Sequence, residues 1–120
     1  MSSTLLIVAA VAATVSATSP TAVLEPAFRN TIVSTYPDGK TTKLWLNRDG
    51  GYQALRANGV RTSGNWVMKG EKVCMTQKAP IYIPLAFCTL IPHQAAIIGA
   101  SWMAKGLKGE PVRHTLTAGR

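Results

Sequence analysis

At 120 residues the chain has room for one domain, and 13 basic against five acidic residues leave a formal charge of +8. Such a charge bears on partners and solubility and not on fold, and it favours anionic partners over neutral or acidic-binding ones. The basic residues are scattered along the chain without the clustering and aromatic interleaving of nucleic-acid binders, so no specific nucleic-acid partner is expected.

Residues 5–15, L-L-I-V-A-A-V-A-A-T-V, form an apolar run too short for a bilayer span of about 20 residues. The run ends at Val15-Ser16-Ala17, small residues in the spacing of a signal-peptidase site. Residues 1–17 therefore read as a cleaved export signal, although Met1 to Thr4 carry no basic residue; a buried N-terminal strand or helix is the competing reading. Export predicts a periplasmic or secreted protein with no transmembrane segment in its mature form. Every charged residue lies beyond Ala17, so the full +8 belongs to the mature chain.

Residues 18–27 contain two prolines and no periodicity, and are expected to be a flexible leader to a single domain over 28–120. From there the chain reads as strands separated by turns. Residues 28–36 are rich in β-branched and aromatic side chains and stop at Pro37-Asp38-Gly39, where proline presets φ, aspartate caps backbone and glycine takes positive φ. Residues 41–47 return, Arg48-Asp49-Gly50-Gly51 turns again, and residues 52–57 form a third strand. Asn58-Gly59, a strong hairpin signal, leads into a fourth strand around Trp66. Lys69-Gly70-Glu71 then turns the chain into a fifth strand over 72–77.

Beyond Gln77 the pattern breaks. Residues 78–92 hold three prolines among large apolar side chains, and proline cannot donate to a sheet ladder. A loop to about Pro84 and a short strand over 87–90 are expected. Residues 95–100 are the nearest approach to a helical pattern, but they carry two isoleucines and end near Gly99, so they read as strand. A strand over 97–103 and a last one over 112–117, joined by K-G-L-K-G-E-P, complete eight. The fold class is thus all-β: a small antiparallel meander barrel of about eight strands, the number at which an interior just holds side chains or one small ligand. Closure would leave no edge strand, and a monomer is expected.

Cys74 and Cys88 are the only cysteines, and in an exported chain two cysteines are most simply a disulfide. A metal pair or reactive thiol would need neighbouring histidine or C-x-x-C spacing, and neither occurs.

The segments G-N-W-V-M-K-G-E-K-V-C-M-T-Q (64–77), D-G-G-Y (49–52) and T-L-T-A-G-R (115–120) together resemble small exported bacterial β-barrel proteins of the lipocalin-like (calycin) type. The resemblance implies that the strand carrying Gly64 and Trp66 plugs one end of the barrel and that a disulfide ties neighbouring strands. Here Gly-x-Trp falls mid-chain, whereas lipocalins carry it on the first strand. The resemblance implies an architecture and no activity.

Asp38, Asp49, Glu71 and Glu110 sit in or beside turns and Glu25 lies in the leader, so no paired-carboxylate mechanism is expected. His93 follows Pro92. His114 shares a face with Val112 and Leu116 by strand alternation, which makes it either a core histidine satisfied by a hydroxyl or a ligand contact. No catalytic triad, metal set or cofactor motif is visible, and a non-enzymatic protein is expected. The candidate binding residues are Ile81, Tyr82, Ile83 and Leu85 of the proline-rich loop, with Phe87 and His114. That loop either completes the core or folds at the barrel mouth, where it would meet an apolar small molecule or a partner's side chain. The alternative partner is an anionic envelope component or acidic protein met by the basic surface and the 78–92 segment.

Overall fold

The computed structural model describes residues 22–92 and 97–120. The expected signal at 1–17, the first part of the leader, His93 and Ala95 lie outside the described residues. Eight antiparallel strands make one sheet: β1 (Thr31–Thr35), β2 (Thr41–Leu46), β3 (Gly51–Leu55), β4 (Arg61–Lys69), β5 (Lys72–Ala79), β6 (Phe87–Leu90), β7 (Ser101–Lys105) and β8 (Pro111–Thr117). Their order is β6-β5-β4-β3-β2-β1-β8-β7, so the last hairpin docks on β1 and the sheet curls into a nearly closed barrel.

The hairpin turns repeat one construction. At the first, Tyr36 N–H donates to Lys40 O, Gly39 N–H to Tyr36 O, and Lys40 N–H to Asp38 Oδ1. Gly39 holds φ at +83°, the left-handed region that a side chain disfavours. Asp49 and Asn58 accept from Gly51 and Val60 in the same way, and Glu110 accepts from Lys108 at the last turn. Asp38, Asp49 and Glu110 are thus turn caps, as their positions in the sequence imply.

Three expectations change. The leader is not free from Ala22 onward: Ala22–Leu24 and Ala27–Arg29 are 3-10 turns, with Leu24 and Ala27 in the core. Phe28 belongs to the second turn and not to β1. Pro26, at φ −63°, starts that turn, and the Asn30 side chain donates back to Pro26 O at 2.7 Å. Residues 97–100 are a turn closed by Ala100 N–H to Ile97 O, with Gly99 at φ +91°, so the strand starts only at Ser101.

The third change is the seam. β6 and β7 pair on one side only, leaving two edges where full closure was expected. β6 has four residues and lies between Pro84 and Pro92, which limits the donors available for another ladder. A side chain bridges the gap instead: Trp102 Nε1 donates to Leu90 O at 2.9 Å.

One end of the barrel is filled. Leu24, Leu46, Trp66, Val73 and Leu116 are buried there together, with Val23, Phe28 and Met68 against them. Trp66 Nε1 donates to Asn47 O at 2.8 Å, and its ring lies 5.7 Å from that of Phe28. Outside this plug, Arg48 stacks on Phe28 and pairs with Glu25 at 2.6 Å. The C-terminal residues close over it: Gly119 bonds Asn30 and Thr31, and Arg120 bonds Asn47 and Leu46 O.

At Gly64 the β4–β5 register shifts, so that Ser63 faces Ala79 and Gly64 faces Gln77. A methyl group at Gly64 would lie 1.9 Å from Thr76 O and 2.9 Å from the Tyr52 ring. Backbone oxygen cannot yield as a flexible side chain can. Gly64→Ala is therefore expected to destabilise the fold by about 2–3 kcal/mol, the upper part of the usual overpacking range. Urea unfolding measures this; a loss within about 0.5 kcal/mol of wild type would show that the bulge absorbs the methyl.

Candidate functional site

The other end of the barrel opens into a cavity of about 1080 Å³. Its walls are inward positions of the strands, including Ile32, Leu44, Tyr52, Ala54, Met75, Phe87 and Trp102. Its rim is made by four connections: Tyr36 to Lys40, Arg56 to Asn58, Ile83 to Ala86, and Leu107 to Glu110. The interior is therefore half core and half cavity. The cause is the distribution of side chains, since the large buried residues lie toward the Trp66 end and Ser34, Thr42, Ala54 and Thr62 face inward toward the other.

Of the six candidate binding residues, four line this cavity: Ile83, Leu85, Phe87 and His114. Ile81 and Tyr82 do not; they point to solvent with 72% and 61% of their surface exposed. Leu85 is 81% exposed although it borders the opening. The proline-rich loop thus forms one side of the rim and does not fill the core. Cys74 and Cys88 are register partners on β5 and β6, with their sulfurs at a bonding distance of 2.06 Å. They lie on the outer face, because Val73, Met75, Phe87 and Thr89 alternate with them to face inward.

His114 is buried inside the barrel with Val112 and Leu116, the face that alternation assigns. Its Nδ1 lies 2.8 Å from Ser34 Oγ across the β1–β8 pair, and its ring stacks on Trp102 at 5.7 Å. Ser34, Thr89 and the rim cations Lys40, Arg56 and Lys108 were not singled out by sequence. Ser34 and Thr89 could have been found by alternation with Ile32 and with Phe87. The rim cations could not, because only the curl of the sheet brings their turns to one end. Burial raises the phenol of Tyr52, and nearby Arg56 opposes that rise.

Burial also lowers the pKa of His114 from its ordinary value of about 6.5. The unfolded chain then takes up the proton first as pH falls. Stability is fully present above about pH 6.5, and declines as pH drops toward the lower folded value. Urea midpoints should fall between pH 8 and pH 5, and the fall should shrink in His114→Gln. An equal fall in both proteins would assign it to other groups.

Among the described residues no cluster of three metal-ligating side chains occurs, and no helix is long and apolar enough to cross a membrane. No protein-family model, curated protein or solved structure matches the chain.

Proposed function

We propose that the chain is an exported, non-enzymatic binding module that takes an apolar small ligand into the open end of its barrel. The observation that carries this reading is the cavity of about 1080 Å³, walled mainly by apolar side chains and open at one end. Ligand sites are commonly concave, apolar spaces with a few placed polar groups. The non-enzymatic part rests on the acids: Asp38, Asp49 and Glu110 are engaged with turn amides, and Glu25 with Arg48.

The test is uptake of N-phenylnaphthylamine, an environment-sensitive apolar dye, by delipidated protein. Saturable fluorescence enhancement that competes with added lipid is expected; absence of any uptake would overturn the reading. Mass spectrometry of the mature N-terminus tests the export component, with cleavage after Ala17 as the expected result.

A second reading has its own observation. The open end presents Leu85 and Leu107 to solvent beside Lys40, Arg56 and Lys108. Such a rim suits an anionic envelope component or an acidic protein. Binding of that kind weakens as salt rises, because exposed charges are screened beyond about 8 Å at physiological ionic strength. Apolar uptake barely responds, so a salt series separates the two.

A further inference from the structure

We propose that the open end of the barrel docks on an anionic lipid membrane, its apolar side chains in the acyl boundary and its cations against lipid phosphates. Docking deepens the carrier reading and rests on it for one step, the passage of an apolar ligand between the lipid layer and the cavity.

The meander sends successive connections to opposite ends of the barrel. The β1–β2, β3–β4, β5–β6 and β7–β8 connections share the open end, and the β2–β3, β4–β5 and β6–β7 connections share the filled one. Among the described residues, six of the ten exposed large apolar side chains belong to the first set: Val60, Ile81, Tyr82, Ile83, Leu85 and Leu107. The filled end exposes Ile97 and Ile98, where Gly99 N–H donates to the carbonyl of buried Leu116. Exposed apolar groups gathered in one region mark a surface that meets something apolar.

Charge has the same polarity. The open-end connections and the strand ends beside them expose Lys40, Arg56, Arg61, Lys78, Lys105 and Lys108. The acids of these segments are Asp38 and Glu110, and each already accepts from a turn amide. At the filled end Arg48 pairs with Glu25, Arg120 bonds Asn47, and Glu71 stands between Lys69 and Lys72. Apolar side chains set among cations match the two layers of an anionic membrane surface. Lysine and arginine stems lie along apolar surface while their charged heads stay at the phosphates.

The apolar side chains sit in three separate connections around one opening. A lipid layer takes up such projections one by one, whereas a protein partner needs a complementary surface for all of them. Leu85, Leu107, Lys40, Arg56 and Lys108 all border the cavity itself. Docking therefore brings a mainly apolar cavity against acyl chains, and an apolar ligand then passes without being hydrated.

The experiment is co-sedimentation of the delipidated full chain with vesicles of phosphatidylcholine alone, or of equal parts phosphatidylcholine and phosphatidylglycerol. Binding should require phosphatidylglycerol and should weaken from about 0.01 to 0.15 M salt, as the Debye length falls from about 30 to about 8 Å. Leu85→Gln with Leu107→Gln should lower the affinity about tenfold, the scale of withdrawing part of two leucine side chains from an apolar layer. Ile97→Gln with Ile98→Gln, the same chemical change at the filled end, should leave it unchanged. Lys40→Gln with Lys108→Gln should weaken binding more than Lys69→Gln with Lys72→Gln. All these side chains are exposed, and near-ultraviolet circular dichroism reports that the variants fold. The apolar run at 5–15 is common to every variant, so differences among them do not come from it.

Equal losses from the two apolar pairs, or none from the leucine pair, would assign the binding to non-specific attraction of a +8 chain and overturn docking. Binding to soluble polyglutamate as tight as to vesicles, and untouched by the leucine pair, would assign the face to an acidic protein and also overturn it. N-phenylnaphthylamine uptake by a protein that never sediments with vesicles would overturn docking and leave the carrier reading in place. Sedimentation with the expected variant pattern but no dye uptake would support docking and overturn the carrier reading.

Discussion

Replacing Trp66 with alanine is expected to cost about 3–5 kcal/mol, as for other buried large aromatics. The indole is buried in the filled end, touches Phe28, and spans from β4 to the carbonyl of Asn47 in the β2–β3 turn. Its removal leaves a cavity and an unpaired carbonyl together. Against a typical domain stability of about 5–15 kcal/mol, this is a large share. Trp45 is the control: it is only half-buried, donates to Thr31, and should cost less when truncated. Urea unfolding of both variants would decide; a Trp66→Ala loss no larger than that of Trp45→Ala would mean that the plug does not depend on the indole.

Reduction of the disulfide is expected to lower stability by about 3 kcal/mol, the chain-entropy value for a loop of roughly 15 residues. The loss should be local first. β6 is a four-residue edge strand paired only with β5, and the preceding loop exposes Ile81, Tyr82 and Leu85. The covalent link on the outer face therefore holds an element that has little else to hold it. Amide exchange with and without reductant should rise in residues 80–90 well before it rises in β1 to β4. An equal rise across the sheet would show that the bond sustains the whole fold. The same comparison reports on the cavity, because Ile83, Leu85 and Ala86 form part of its rim.

Much of the fold was legible because its signals are local. Asp38-Gly39, Asp49-Gly50 and Asn58-Gly59 each build a turn from their own backbone and side chain, so the hairpins could be placed without knowing what they pack against. Alternation along 112–117 put His114 on the inner face with Val112 and Leu116. The seam and the leader were less accessible. Leu24 follows no period and stands between prolines, and it enters the core only because the filled end of the barrel has space for it. Ile97 and Ile98 have the composition of a strand, but Gly99 turns the chain there and leaves both side chains exposed.

The candidate site shows the same division. From the sequence alone came an all-β chain with eight strands, the Cys74–Cys88 pair, an inward His114 and an apolar proline-rich segment as the odd element. Each of these follows from neighbours within a few residues or from there being only two cysteines. The tertiary structure alone decided that Ser34 meets His114 80 residues away, that Thr89 and His114 border one cavity, and that Ile83 and Leu85 face it while Ile81 and Tyr82 do not. It alone gathered Lys40, Arg56 and Lys108 at one rim. The physical reason is that barrel curvature and stagger are properties of the whole sheet. Which turns share an end, and how far the large side chains fill the interior, depend on all eight strands at once.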